Sequence, residues 1–140
     1  MIPKTAEYAL RAAVILARAP GRPYSADAIA EATQVPRRYA HKVLQALVRA
    51  GLVGSHSGPG GGYALLLSPK DVTILDVVAA IEPIARIRRC PLGLKGHTSL
   101  CPLHRRLDEA AALTEKAFAE VTLAQLLYQP HGVPPLCEVE

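Results

Sequence analysis

The stretch SADAIAEATQVPRRYAHKVLQALVRAGLVGSHSGPGGGY, residues 25–63, decides the fold. Ser25 is a ready N-cap, and Asp27 falls in the first turn, where the positive helix end favours a carboxylate. This first helix runs to about Ala32. Thr33-Gln34-Val35 makes a turn, and Pro36 suits the first position of a second helix ending near Ala50. Within that helix Ala40, Val43, Leu44, Leu47 and Val48 recur at helical spacing and point inward. Its opposite, N-terminal face presents Arg37, Arg38, Tyr39, His41 and Lys42. Gly51 is a natural stop. Two short apolar runs, 52–55 and 63–67, flank Ser57-Gly58-Pro59-Gly60-Gly61-Gly62 and read as an antiparallel hairpin. Helix, turn, basic helix and hairpin together are the layout of a winged helix-turn-helix, whose second helix enters the major groove of DNA. Small residues at the hairpin tip let the backbone approach a phosphate chain closely. No Gly-Lys-Ser/Thr follows them, so a nucleotide-cradling loop is excluded.

Charge supports this division. Residues 1–67 hold eight Lys and Arg against three Asp and Glu; residues 68–140 hold eight against nine. The basic excess therefore lies where a phosphate-binding face is needed. Half of the 140 residues are hydrophobic, enough for a buried core, with few aromatics and no tryptophan. Neither a secretory signal nor a run long enough to span a bilayer is visible, which predicts a cytoplasmic protein without membrane partners. In that setting the three cysteines read as thiols or metal ligands, not structural disulfides.

Working outward, residues 5–18 place Ala6, Ala9, Leu10, Ala13, Val14 and Ala17 on one helical face, and Pro20-Gly21 stops the helix. Glu7 and Arg11 are one turn apart and suit an ion pair. Thr73-Ile74-Leu75-Asp76 starts another helix with a capping-box pattern, ended by Pro83. A loop with Cys90, Gly93, Gly96 and His97 follows. From Pro102 the pattern predicts one long helix to about Leu127, with Leu103, Leu107, Ala110, Ala111, Thr114, Ala117, Phe118, Val121 and Leu126 on one stripe. Twenty-five such residues span about 37 Å, more than a small head covers. The stripe either meets the same helix of a second copy, giving a homodimer, or folds back on its own head. The expected organisation is thus a mainly α fold with a small β-hairpin wing. Residues 1–82 form the DNA-binding head, 83–101 a cysteine-containing sensor loop, 102–128 a dimerisation helix and 129–140 an irregular tail.

Tyr8-Ala9-Leu10-Arg11, Leu44-x-x-Leu47 with Ala50-Gly51-Leu52-Val53, Ser55, and above all Gly58-Pro59-Gly60-Gly61-Gly62-Tyr63 resemble the Rrf2 (Rrf-two) family of bacterial transcription regulators. The likeness runs from about Thr5 to Leu127. It implies a homodimer bound to a double-stranded DNA operator, each protomer placing one helix in the major groove and one wing in the minor groove. The positions it assigns to DNA, with the helix start at Ser25, are Arg37, Arg38, Tyr39, His41 and Lys42 on the reading helix, and Ser55, Ser57, Gly58, Pro59, Gly60 and Gly61 on the wing. Chemically, Arg can bond guanine through two parallel N–H groups, while Tyr and Lys can fix phosphates. Two positions depart from the family: Ser57 stands where Arg is frequent, and His41 where the IscR type has Glu.

The same resemblance turns attention to the cysteine loop, which in the IscR and NsrR types carries three cysteines around an iron–sulfur cluster. Cys90 matches the first and Cys101 the last; Gly96 and His97 occupy the neighbourhood of the missing middle one. Cys101-x-x-His104 matches the closing cysteine and histidine of IscR-type loops, and Glu7 a carboxylate that some relatives supply from the other protomer. The implied ligands are Cys90, Cys101, His104, Glu7 and His97, around a cluster of the 2Fe–2S kind rather than 4Fe–4S. From the residues alone, Arg88 and Arg89 beside Cys90 and a helix start at Cys101 favour thiolates. The donor set equally suits mixed cluster ligation, a zinc site, or a thiol pair that closes on oxidation. Cys137 carries no assigned role. Beside the redox or iron–sulfur-responsive repressor stand a winged-helix module that binds protein and a regulator built on zinc or thiols alone. No Cys-x-x-Cys, His-Glu-x-x-His or nucleophile–base spacing points to an enzyme.

Overall fold

The computed structural model describes residues 1–128, 132, 135 and 136, so the Gln129 side of the tail and Cys137 lie outside the described residues. Its elements are α1 (Lys4–Ala17), α2 (Ala26–Thr33), α3 (Arg37–Arg49), β1 (Val53–His56), β2 (Gly62–Leu65), a 3-10 turn (Pro69–Asp71), α4 (Ile74–Ile81), α5 (Pro102–Ala119) and α6 (Leu123–Leu127).

Helix α1 is the axle of the head, packing against α2, α3, α4 and α6. Its contact residues are mostly alanines, which keep the neighbouring helices close. The sequence pattern predicted one buried face, yet every residue of its second half, Ala12 to Ala17, is buried. Neighbours on several sides explain this, as they do for any helix that is apolar all round. Leu16, Ile29, Leu44, Leu47, Val77 and Leu123 complete the core with essentially no exposure.

The helix-turn-helix forms as its sequence predicts, with local capping at each step. Ser25 Oγ accepts from the Ala28 amide at 3.1 Å and starts α2. Gln34, in the left-handed region at φ 56°, ends it. Val35 then dips into a small satellite cluster with Ala30 and Ala40. Pro36 sits one place earlier than expected, as the N-cap of α3, its carbonyl accepting from the Tyr39 and Ala40 amides. Strands β1 and β2 are antiparallel, in the register Val53↔Leu65, Gly54↔Ala64, Ser55↔Tyr63, His56↔Gly62. A third strand position was not legible in the sequence: Tyr24 exchanges two backbone bonds with Tyr63, at 2.9 and 2.8 Å, tying the entrance of α2 to the wing.

The single helix expected over 102–128 is two helices. Helix α5 ends at Ala119, and Thr122 caps a new one through a reciprocal box with Gln125. The interruption is fixed from a distance: the Ile74 amide donates to Val121 O at 3.0 Å and the Leu123 amide to Val72 O at 2.8 Å. Leu123 is thereby driven into the head, and α6 packs on α1. Helix α5 is correspondingly 18 residues, about 27 Å. The head does not close at residue 82 either, since α6 completes its core.

Helix α4 opens on the expected capping box between Thr73 and Asp76. One side of α5 lies against α4, and no residue of α5 is fully buried. Of the expected stripe, Ala111, Thr114 and Phe118 are half-buried, whereas Leu103, Leu107, Ala110 and Ala117 face solvent, joined by Leu113. Among the described residues no helix is long and apolar enough to cross a membrane.

Candidate functional site

The basic end of α3 and the tip of the wing are both open to solvent. Arg37, Arg38, His41 and Lys42 are all exposed, as are Ser55, Ser57, Gly58, Pro59 and Gly60; Gly61 is half-buried. Tyr39 behaves differently. It is half-buried, stacked at 5.7 Å between centroids on Tyr8 of α1, with the Arg38 guanidinium 4.9 Å above its ring. A large part of its surface therefore joins two helices, α1 and α3. Gln45, which sequence reading passed over, donates to the Tyr63 hydroxyl at 3.0 Å and links α3 to β2. Asp27, read from the sequence only as a first-turn carboxylate, also binds the Arg37 guanidinium, Nη2 to Oδ2 at 2.9 Å.

Residues 7–11 of α1 acquire a mechanical meaning from their contacts. Glu7 accepts from Arg11 Nε at 2.9 Å, and Arg11 Nη1 donates to the Thr33 carbonyl at 3.1 Å. Thr33 is the buried last residue of α2, its hydroxyl donating to Ile29 O. Together with Tyr8 on Tyr39, this fastens α1 to both arms of the helix-turn-helix. The second carboxylate oxygen of Glu7, Oε2, is buried and has no hydrogen-bond partner among the described residues.

The cysteine loop is organised around its root. Arg86 forms a two-point pair with Asp108, at 2.7 and 3.0 Å, and a third bond to Glu115 at 2.8 Å, while the Ile87 amide donates to Asp108 at 2.8 Å. Hydrogen bonds from Arg86 and Ile87 hold the Asp108 carboxyl down at about 2, and the same carboxylates raise the already high value of Arg86. Beyond this anchor, the Cys90 sulfur sits in a turn whose Leu94 and Leu92 amides, with that of Gly93, favour its thiolate and lower its pKa. Arg88, Arg89, Cys90, Gly93, Leu94, His97, Thr98 and Ser99 line a shallow cavity of about 300 Å³. Cys90 and His97 thus share one pocket.

Cys101 and His104 form a second pair. Cys101 is the N-cap of α5, and its Sγ lies 3.3 Å from His104 Nδ1. Both residues are half-buried. Among the described residues no three His, Cys, Asp or Glu side chains converge tightly enough to hold a metal. The five expected ligands are therefore distributed within one protomer as Cys90 with His97, Cys101 with His104, and Glu7 apart on α1. Their chemistry still fits a mixed-ligand group: one sulfur cradled by amides, one sulfur–imidazole pair at a helix start, and a carboxylate with an orphan oxygen.

The model of the Rrf2 family, described as iron-dependent transcriptional regulators, matches residues 2–129. The chain belongs to the Rrf2 family. It is similar to an Rrf2-like helix-turn-helix transcriptional regulator of Rhodobacter capsulatus, 36% identical over 132 residues, covering 91% of this chain and 85% of that one. The regulator BadM of Rhodopseudomonas palustris is 36% identical over 121 residues, covering 84% and 77%. Among solved structures, CymR of B. subtilis, the global cysteine regulator, superposes with a TM-score of 0.74 at 27% identity over 90% of this chain and 95% of that one. IscR of T. potens has a TM-score of 0.74 at 24% identity over 91% and 85%, a likeness of fold. This Rrf2 protein is accordingly a winged-helix DNA-binding regulator of transcription.

Proposed function

We propose that this Rrf2 protein is a homodimeric repressor whose hold on its operator depends on the state of the cysteine loop. The observation that supports the reading most is the juxtaposition at the start of α5: the Cys101–His104 pair caps the helix whose uncovered stripe offers the dimer seam. Arg37, Arg38, His41 and Lys42 would meet the major groove, with Ser55, Ser57 and the turn at 58–61 beside a flanking backbone. Ser25 would offer a helix start to a phosphate.

For the sensor, Cys90, Cys101 and His104 are the ligands the chemistry favours, with Glu7 supplied by a second copy and His97 as the alternative fourth. An iron–sulfur group bound there would supply an electron-accepting, oxygen-sensitive centre, of the 2Fe–2S kind under mixed ligation. The residues of the chain do the rest. Arg86 fixes the loop root on α5, amides at 92–94 stabilise one thiolate, and α5 transmits any change to the head through α4. Ligand loading would select one arrangement of residues 88–100 and so bias the relative placement of two heads. A second reading, a thiol switch without metal, is favoured by one observation: the lowered Cys90 thiol stands apart from any three-ligand group.

Anaerobic purification decides between them. Visible absorbance with matching iron and acid-labile sulfide, lost in Cys90→Ala and Cys101→Ala, is expected. Colourless, iron-free protein after reconstitution, with DNA binding indifferent to both substitutions, would overturn the sensor reading. A zinc site would bring zinc without colour. Binding to duplex DNA should fall steeply with salt as counterions are released; a protein-binding module would show no such slope.

A further inference from the structure

Asp27 and Arg37 occupy the side of the head that carries the exposed basic residues of α3. Asp27 belongs to the first turn of α2, and Arg37 is the first residue of α3, so ten residues of chain are folded back to bring them together. Asp27 binds both Nε and Nη2 of the guanidinium. The side chains remain 60% and 72% exposed. An ion pair this open adds little to stability, because water screens it and two side chains must be held still. Its consequence is orientation.

A guanidinium has five N–H groups on a rigid plane. With Nε and one Nη2 hydrogen given to Asp27, the opposite edge is left with Nη1 and the second Nη2 hydrogen. That edge is a parallel pair of donors, the pattern that fits guanine O6 and N7 in the major groove. A free arginine at the start of a reading helix would also be drawn to the nearest phosphate; a carboxylate at its back opposes that escape by repelling phosphates.

We propose that Asp27 is a specificity-determining residue that positions Arg37 to read one guanine and withholds it from the backbone. The inference rests on α3 being the major-groove element. It makes Asp27, the carboxylate paired with the first residue of α3, a means of selecting sequence.

The test uses the full-length chain, purified anaerobically, and a pool of random-sequence duplex DNA. If the wild-type chain enriches no sequence, the major-groove reading itself fails and the proposal with it. If it does, affinities for the enriched duplex and for single-base variants are compared. Asp27→Ala is expected to lose about tenfold or more of the preference at one G·C pair. Arg37→Ala should lose the preference at the same pair, and the double variant should be no worse there than Arg37→Ala alone, the signature of two residues acting as one. Asp27→Asn, which keeps one acceptor oxygen, should fall between. The salt slope of Arg37→Ala should stay at the wild-type value. Two results would sink the idea. One is an Asp27→Ala chain that binds every duplex equally more tightly with its base preference intact. The other is an Arg37→Ala salt slope shallower by about 0.9, which marks a phosphate contact.

Discussion

At Gly62 the wing touches the entrance of α2. Its φ is 138°, and a Cβ built there would come 2.2 Å from the Tyr24 carbonyl oxygen, which is backbone and cannot swing aside. Gly62→Ala should therefore cost about 1–3 kcal/mol and part Tyr24 from Tyr63. Urea unfolding with an unchanged m-value is the check, and equal midpoints would refute it. Cys90 offers a prediction of another kind. Because amides lower its pKa, more of it is thiolate at neutral pH than for an ordinary thiol, and alkylation should reach half-maximal rate at a lower pH. In metal-free protein, mass-spectrometric alkylation across a pH series should label Cys90 with a midpoint below that of a model thiol. Single residues were only partly legible in the sequence. Which ones were basic, small or thiol-bearing could be read directly. That Tyr39 turns against Tyr8, or that Asp27 backs Arg37, follows from the angle between α2 and α3, which no local pattern states.

Elements were read better where their signals are local. Ser25, Thr73 with Asp76, and Gly51 mark ends that capping chemistry enforces within one turn. The end of α5 was missed because apolar spacing continues smoothly through Ala117, Phe118 and Val121. The interruption is imposed by pairing with Val72 and Ile74, about fifty residues earlier. Thr122-x-x-Gln125 carried the one local hint, a capping pattern overlooked inside an unbroken stripe. The Arg86 clasp was equally invisible, since its partners lie 22 and 29 residues away. It makes the loop root sensitive to acid. A carboxyl at about 2 in the folded chain, against 3.8 ordinarily, contributes stability that is fully present above pH 4 and lost as pH falls through 2. Asp108→Asn should remove that part of the acid limb, so that variant and wild type converge below pH 2. Hydrogen exchange at Ile87, followed at neutral pH, should quicken in the variant.

On the scale of the whole molecule the head is closed and α5 is not. Leu103, Leu107 and Leu113 are 62, 50 and 68% exposed along a helix with no buried residue. In the homodimer proposed above, a second copy covers this stripe with the same surface on both sides. Leu107→Glu should yield a monomer by light scattering while leaving the thermal transition of the head within a few degrees, since Leu107 is already half in water. Its affinity for a two-fold operator should drop by about 10²-fold or more, because linked heads bind the second half-site as an intramolecular event. A variant still dimeric at micromolar concentration would place the seam elsewhere.

The backbone bonds from Ile74 to Val121 and from Leu123 to Val72 have one more consequence. They make everything between Ile81 and Val121 an excursion that leaves the head and returns to the place it left. Helix α4 is about 12 Å long, so its far end lies within reach of Val121 for a bridge of about five extended residues. Residues 82–120 are therefore an insert separable from the helix-turn-helix. Changes of length or sequence in that insert should leave the surface formed by α3 and the wing in place.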